Sequence, residues 1–309
     1  MKKFTSNLII ITILTYGFLF FLEHVQDKFN SSVKDTDSHV LNSIKNGIEA
    51  DLIFLGSSRT STTYSSVIFN SILNIKSFNL GYTAGNEYSQ SLYLNFYMKY
   101  NNPPKIVIQN IDLAHFSNSK IVPNYFYTLP FYNDFKTDST YRNLYFNRYI
   151  DVIPYIKYNG WNRNNFFHLK KKIVNNNNST YDFYKPYDKK FELDNHNLKR
   201  IKENNSELDL DYIEKAISTQ ISFFEQYNTQ IYYVWLPERE ERYTLYGEKC
   251  EVIKRIIEDK FSDCSKCFFI DLSEYSEAVT SEDFFYDTFH LNKAGSELLS
   301  KYIANLLKD

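Results

Sequence analysis

Three residues near opposite ends of the chain have types and spacing that suit nucleophilic catalysis. The segment GSSR places Ser58 two residues after Gly56, and the segment DTFH places Asp287 three residues before His290. A histidine that accepts the serine proton makes the hydroxyl a nucleophile, and an aspartate orients and stabilises the resulting imidazolium. The residue types therefore suggest a nucleophile, a general base and the carboxylate that holds the base.

Each of the two motifs also has a purely structural explanation. Asp and His three residues apart can share a hydrogen bond on a helix surface, or the aspartate can cap the following helix. A serine that follows a strand and a glycine is a common helix N-cap. The catalytic interpretation requires that both motifs meet at one edge of the fold, because structural context is what confirms a short motif.

Short apolar runs that end at turn residues predict five strands separated by helices. We expect the strands at about residues 53–55, 75–80, 105–113, 229–238 and 266–275. One helix is expected over SSRTSTTYSSVIFNSIL and a final one in NKAGSELLSKYIANLL. This alternation predicts a flavodoxin-like three-layer α/β/α fold with a five-stranded parallel sheet. Both motifs then lie at the C-terminal edge of the sheet, where ligands bind in such folds.

The N-terminal segment predicts attachment to a membrane. Lys2 and Lys3 precede an apolar run over residues 7–22, and a polar stretch without a small-residue cleavage site follows. The run is slightly shorter than the ~20 residues of a typical spanning helix. We interpret it as an uncleaved anchor that contacts the membrane through residues 8–22, rather than as a signal peptide. The basic residues would stay in the cytoplasm, which places the folded part outside.

We divide the sequence into an anchor (residues 1–25), a stalk (26–48) and an α/β domain (49–309) with an insertion at about 114–210. The insertion is rich in Tyr, Phe and Asn, and we expect it to be partly helical near residues 141–158. It either covers the active site or is a variable elaboration. The abundance of Tyr and Phe suits carbohydrate stacking, but the codon bias of an AT-rich genome explains it equally well.

Charge and cysteine usage exclude other classes of function. The formal net charge of -2 argues against a nucleic-acid-binding protein. Cys264 and Cys267 could form a local disulfide or remain thiols, and Cys250 stands alone. One C-x-x-C motif without a second pair is a poor signal for zinc. We therefore expect neither a metal nor another cofactor.

The strand that ends in Gly-x-Ser, the second turn NLGYTAGN and the late Asp-x-x-His resemble the SGNH (GDSL-like) hydrolase superfamily. The similarity is greatest to its exported, membrane-anchored, acyltransferase-like branch, and it runs from about Asp51 to the C-terminus around the insertion. It implies that Ser58 is the nucleophile and that His290 and Asp287 are its partners. The family's oxyanion hole would comprise the Ser58 amide and, in the second turn, an amide of Ala84 or Gly85, of which we favour Gly85.

The third oxyanion donor of the family, an asparagine, has no counterpart in register in IQNIDLAH. Asn110 lies two or three residues too early, and Asp112 and His115 would be poor donors unless protonated. We treat Asn110 and Arg59 as weak candidates for substrate contact. For Arg59 the alternative is an ion pair with a carboxylate, which is the more common role of such an arginine.

The resemblance implies a serine-dependent O-acyltransferase, most simply an acetyltransferase, that acts on a cell-envelope or secreted polysaccharide. Related systems receive their acyl group from a multi-spanning membrane-bound O-acyltransferase, which would be the partner here. One alternative is an esterase that removes acyl groups from glycans or lipids with the same three residues. The other alternative is a non-catalytic scaffold that only binds polysaccharide or a membrane partner.

Overall fold

The computed structural model describes residues 2–32, 37–82, 85–113, 115–116, 128–135, 137–138, 183–195, 198–199, 208–273 and 281–308. The chain forms two compact units, Met1–Gly47 with Val122–Thr180, and Ile48–Ile121 with Tyr181–Asp309. The helix expected near residues 141–158 lies outside the described residues. The boundaries chosen for the anchor, stalk and insertion stay predictions.

The first unit is helical where it is described. Helix α1 spans Lys2–Ser32 and α2 spans Asp37–Lys45, while a 3-10 turn at Leu129–Phe131 leads into the short α6, Tyr132–Phe135. Within α1, the segment Phe4–Phe29 is long and apolar enough to cross a membrane, a test that an anchor and a signal sequence both pass. Helix α1 therefore continues beyond the expected anchor into the segment assigned to the stalk.

The second unit contains the predicted five-stranded parallel sheet. Its strands, in chain order β1 to β5, are Leu52–Leu55, Ser77–Asn79, Ile106–Ile111, Gln230–Trp235 and Cys267–Asp271. All neighbours pair in parallel, in the order β2-β1-β3-β4-β5. The helices of this unit are α3 (Ser58–Thr63), α4 (Ser66–Leu73), α5 (Glu87–Tyr100), α7 (Leu210–Glu225), α8 (Glu240–Ser262) and α9 (Lys293–Leu306). The predicted fold class is confirmed.

The sheet packs between two layers because successive strand residues point to opposite faces. On one face, Phe54, Ile108 and Val234 belong to a fully buried cluster with apolar residues of α4 and α9. On the other face, the Tyr233 ring packs against Phe261 of α8 with ring centroids 4.6 Å apart. All four residues of β1 are buried, as expected for a strand covered on both sides.

The helix expected after β1 is in fact two helices, and this part of the prediction is wrong. Helix α3 ends at Thr63 and α4 begins at Ser66, with Tyr64 in an extended conformation between them. The Asn79 side chain donates to the carbonyl of Tyr64 at 2.8 Å, which satisfies a group that a continuous helix would have used. The bend also lets Tyr64 stack on Phe54, with ring centroids 5.0 Å apart.

The two neighbouring cysteines form a disulfide. Cys264 follows α8 and Cys267 begins β5, and their Cα atoms lie 5.3 Å apart. The third cysteine, Cys250, is a buried thiol. Of the two states left open by the sequence, the structure contains the local crosslink.

Candidate active site

The nucleophile turn begins with a glycine that no other residue could replace without strain. Gly56 follows β1 with φ of +149°, and a Cβ there would lie 1.9 Å from Thr60 Oγ1. Ser57 then caps α3, its hydroxyl accepting from the Arg59 N–H at 3.3 Å. Ser58 is consequently the first residue of α3, at the C-terminal edge of the sheet. At this position its own N–H has no acceptor within the helix.

The structure brings Ser58, His290 and Asp287 into one chain of hydrogen bonds. Ser58 Oγ lies 2.8 Å from His290 Nε2. His290 Nδ1 lies 2.9 Å from Asp287 Oδ2 and 3.0 Å from Oδ1. A carboxylate can only accept, so Nδ1 carries the proton and Nε2 is left to accept from Ser58. This is the arrangement that a serine nucleophile requires.

Asp287 is held in its charged form. Its Oδ1 accepts from the backbone N–H groups of Phe289 at 2.7 Å and His290 at 2.8 Å. Burial acts to raise the pKa of Asp287, but the His290 ring and the two backbone donors outweigh it and hold the pKa below its usual value. An ionised carboxylate at this place fixes the histidine tautomer and stabilises the imidazolium that forms in catalysis.

The helix that carries Ser58 is fastened to the helix that follows His290. The carbonyl of Thr63, the last residue of α3, accepts from Ser296 Oγ at 2.7 Å and from Ser300 Oγ at 2.8 Å. Both serines are buried residues of α9. Because α9 begins three residues after His290, these bonds fix the position of the base relative to the nucleophile.

The turn after β2 supports α3 from the other side, through two residues that the sequence analysis did not single out. A Cβ on Gly81 would lie 2.5 Å from the Ser61 backbone nitrogen, so only glycine permits this approach. Asn79 accepts from Gly81 N at 2.8 Å and donates to the carbonyl of Thr60 at 3.0 Å. The signal in the sequence was an asparagine at the end of a strand with a glycine two residues later.

The second oxyanion amide is engaged in a turn. Gly85 N–H donates to the carbonyl of Tyr82 at 2.8 Å, so this turn would have to open before Gly85 could bind an oxyanion. The alternative donor, Ala84, lies outside the described residues. The assignment of Gly85 to the oxyanion hole stays a prediction.

The side chains at the end of β3 are buried beneath the nucleophile turn. Neither polar atom of the Asn110 amide has a hydrogen-bond partner among the described residues, and its Cβ would lie 3.0 Å from a Cβ on Gly56. Both ring nitrogens of His115 likewise have no described partner. Burial lowers the pKa of His115 to about 4, against the opposing charge of Asp112, so the ring is neutral at pH 7. Asn110 as a substrate contact stays a prediction.

The Arg59 side chain makes its polar contacts with buried groups of the protein itself. Its Nη1 lies 3.0 Å from Glu238 Oε1 and 3.8 Å from Asp112 Oδ2, and its Nη2 donates to the Pro237 carbonyl at 2.7 Å. The side chain is buried. Of the two roles considered for Arg59, the geometry corresponds to the ion pair, which links α3 to the loop after β4.

The described residues contain no group of three His, Cys, Asp or Glu side chains that could hold a metal ion. The residues assembled at this edge of the sheet are a serine hydroxyl next to a histidine that a carboxylate orients. Such a pair accepts an acyl group on oxygen and passes it to another hydroxyl or to water.

Comparisons with known proteins concern the fold. No protein-family model and no curated protein matches the sequence. A family two carbohydrate esterase from Clostridium thermocellum, solved with cellohexaose, matches with TM-score 0.37 and 11% identity over 85% of this chain and 64% of that chain. A lipase/acylhydrolase from Enterococcus faecalis matches with TM-score 0.44 and 10% identity, over 83% of this chain and 94% of that one. This chain thus spans less than two thirds of the esterase.

The architecture brings the two sequence motifs together at one edge of the sheet. The sheet has the order β2-β1-β3-β4-β5, with the serine in the turn after β1. The Asp-x-x-His segment directly precedes α9 and meets that serine. In strand order, nucleophile turn and histidine segment, the chain has the α/β architecture that its sequence resemblance to the SGNH hydrolase superfamily predicted.

Proposed function

We propose that this protein is a serine-dependent O-acyltransferase that uses an acyl-Ser58 intermediate. The observation that supports the proposal is the unbroken hydrogen-bond chain from Asp287 through His290 to Ser58. Ser57 caps α3, so Ser58 is not needed for that structural role and its hydroxyl faces His290.

The reaction has two steps with the same groups in the same roles. Ser58 Oγ attacks the acyl carbonyl while its proton passes to His290 Nε2, and the donor oxygen leaves with that proton. An acceptor hydroxyl then gives its proton to His290 and attacks the acyl-serine carbonyl. The Ser58 oxygen leaves and regains the proton, so no co-reactant is consumed.

The proposal also specifies the acyl group and the acceptor that receives it. We propose transfer of an acetyl group to a hydroxyl of a cell-envelope or secreted polysaccharide, outside the cytoplasm. Helix α1 would anchor the enzyme, and the Cys264–Cys267 disulfide supports an oxidising compartment. An acyl donor must then cross the membrane, and a multi-spanning membrane-bound O-acyltransferase is the proposed partner that delivers it.

Intact-mass measurement of the full chain in detergent tests the central step. After incubation with p-nitrophenyl acetate, we expect a single acetyl adduct that peptide mapping places on Ser58. Ser58→Ala should carry no adduct, whereas Ser71→Ala, which changes an exposed serine, should carry it like the wild type. An adduct that persists in Ser58→Ala would refute the proposed intermediate.

A further inference from the structure

A late part of the insertion, residues 183–195, is hydrogen-bonded to the elements at the sheet edge that carries Ser58 and His290. Phe183 N–H donates to the carbonyl of Asn79 at 3.1 Å, at the end of β2. Two residues later, Lys185 N–H donates to the carbonyl of Ser61 at 2.7 Å, in the nucleophile helix. This part of the segment is therefore attached to the elements that position Ser58.

The same segment is bonded to both flanks of the catalytic histidine. Lys293 N–H, three residues after His290, donates to the carbonyl of Tyr187 at 2.8 Å. Glu192 N–H donates to the carbonyl of Tyr286, four residues before His290, also at 2.8 Å. The backbone around Tyr187 is consequently fixed relative to the imidazole.

Tyr187 lies against the imidazole of His290. The two ring centroids are 5.6 Å apart with an angle of 71° between the planes. Tyr187 is itself stacked on Tyr286, with centroids 4.2 Å apart and an angle of 23°. Burial, and after it the charges of Asp287 and Tyr286, raise the pKa of Tyr187, so the phenol stays neutral.

We propose that Tyr187 is a positioning residue that holds the His290 ring in line between Asp287 and the Ser58 oxygen. This inference rests on the proposed acyl-Ser58 intermediate. In the free enzyme the imidazole is held at both nitrogens, by Ser58 and by Asp287. In the acyl-enzyme the serine proton is gone and the Nε2 bond with it, so among the described residues Asp287 and the ring contacts of Tyr187 and Phe289 hold the imidazole.

The contribution of Tyr187 is therefore greatest in the second step. A histidine free to rotate about its side-chain bonds would no longer deprotonate the acceptor at the right place. Misplacement of a catalytic group by about 1 Å can cost on the order of 100-fold in rate. The ring performs this role through its shape, because no described residue makes a hydrogen bond to the Tyr187 hydroxyl.

The test compares Tyr187→Ala, Tyr187→Leu and Tyr187→Phe in the full chain. Lys190→Ala is the matched control, because Lys190 is an exposed residue of the same segment. Turnover of p-nitrophenyl acetate and the acetylated fraction of protein at steady state are measured together, the latter by intact mass. Thermal unfolding of each variant identifies any that fails to fold, and Tyr187→Leu preserves more of the packing than Tyr187→Ala.

We expect Tyr187→Ala and Tyr187→Leu to lower kcat by about 10- to 100-fold and to lower KM along with it, because slow deacylation makes acetyl-enzyme accumulate and the acetylated fraction rise. Tyr187→Phe and Lys190→Ala should stay within about twofold of the wild type, since both keep the aromatic wall. Folded Tyr187→Ala with normal turnover, or with slow turnover but no accumulated acetyl-serine, would overturn the inference. So would Tyr187→Phe as slow as Tyr187→Ala. A wild type that forms no adduct on Ser58 refutes the proposed function instead, and the inference with it.

Discussion

The Ser296 hydroxyl donates a 2.7 Å hydrogen bond to the carbonyl of Thr63, a residue 233 positions earlier in the chain. The Ser300 hydroxyl donates to the same carbonyl. The two bonds join the end of α3, which carries Ser58, to α9, which follows His290. The hydroxyl of Ser58 and the ring of His290 therefore belong to one rigid assembly. Their alignment depends on contacts outside the three reacting side chains.

Removing these two serine hydroxyls should destabilise the protein more than additively. Ser296→Ala alone leaves one donor on the Thr63 carbonyl and should cost about 1 kcal/mol of unfolding free energy. Ser300→Ala also removes the acceptor of the buried Ser65 N–H and should cost about 1–3 kcal/mol. The double variant leaves a buried carbonyl unsatisfied, which adds about 1–3 kcal/mol. Denaturant unfolding of the four proteins measures the coupling, with Ser71→Ala as an exposed control. Strict additivity would show that the carbonyl finds another donor.

Gly56→Ala should be far more damaging than Gly47→Ala, although both glycines have positive φ. Gly47 has φ of +87° and open space around its missing Cβ, so alanine there costs about 1–2 kcal/mol for conformation alone. At Gly56 the methyl group would also meet Thr60 Oγ1 at 1.9 Å, which adds about 1–3 kcal/mol of overpacking and displaces Ser58. Unfolding midpoints and acetyl-adduct formation test the contrast. Equal costs at both sites would contradict the structure of the turn.

Asp287→Asn should lower turnover by about 10³–10⁴-fold, because an amide does not impose the required histidine tautomer. It should also remove a pH-dependent share of stability. The pKa of Asp287 is lowered in the folded state, so its charged form stabilises the protein above the unfolded pKa of about 3.9 and this is lost as pH falls. The difference from wild type, on the order of 1 kcal/mol at about pH 7, should shrink as pH falls below about 3.9 and through the lowered folded pKa of Asp287. A difference that grows on acidification would reverse the sign.

Hydrolysis of small activated esters should be slow, and transfer to glycan should be the cellular activity. The resemblance implies that the third oxyanion donor is missing, which would cost about 2.7–4 kcal/mol of transition-state stabilisation. An enzyme that a dedicated partner supplies with acyl groups would tolerate this cost, because the partner holds the reacting groups in position. In cells, Ser58→Ala should therefore reduce the acylation of a surface glycan. Mass analysis of the glycan measures this. Increased acylation would instead identify the enzyme as a deacylase.

Fusion of reporters after Asp309 should locate the folded part outside the cytoplasm. In the proposed topology the basic start and the apolar helix Phe4–Phe29 would orient the chain, and the Cys264–Cys267 disulfide suits an oxidising compartment. A reporter that matures only outside should be active, and it should remain with the membrane fraction. Activity confined to a cytoplasmic reporter would remove the envelope polysaccharide from consideration.

The five strands could be predicted because each is a short apolar run that ends at a turn residue. Four of the predicted strands exceed the observed ones by a few residues at their ends, as at 75–80 against Ser77–Asn79, whereas the first, 53–55, is one residue shorter than Leu52–Leu55. The break between α3 and α4 could not be predicted, since it depends on Asn79 and on serines of α9 that lie far away in sequence. Local periodicity contains no information about such partners.

The predicted catalytic residues were accessible from the sequence because a serine, a histidine and an aspartate have few other reasons to occupy those positions together. Tyr187 was not accessible in this way. It belongs to an insertion whose composition has a simple genomic explanation, and its contact with His290 follows from backbone bonds across about 100 residues. Only the folded chain distinguishes this tyrosine from its many neighbours.

The separation of 232 residues between Ser58 and His290 has a consequence for biosynthesis. A nascent chain contains its future nucleophile long before the ribosome has added the base that activates it. In the proposed mechanism Ser58 is an ordinary alcohol until α9 docks, because a serine hydroxyl is a weak nucleophile without its base, and we expect activated acyl compounds to leave it unmodified. Ser58 would thus become reactive only when folding is complete, and an incomplete chain would be unreactive at this residue.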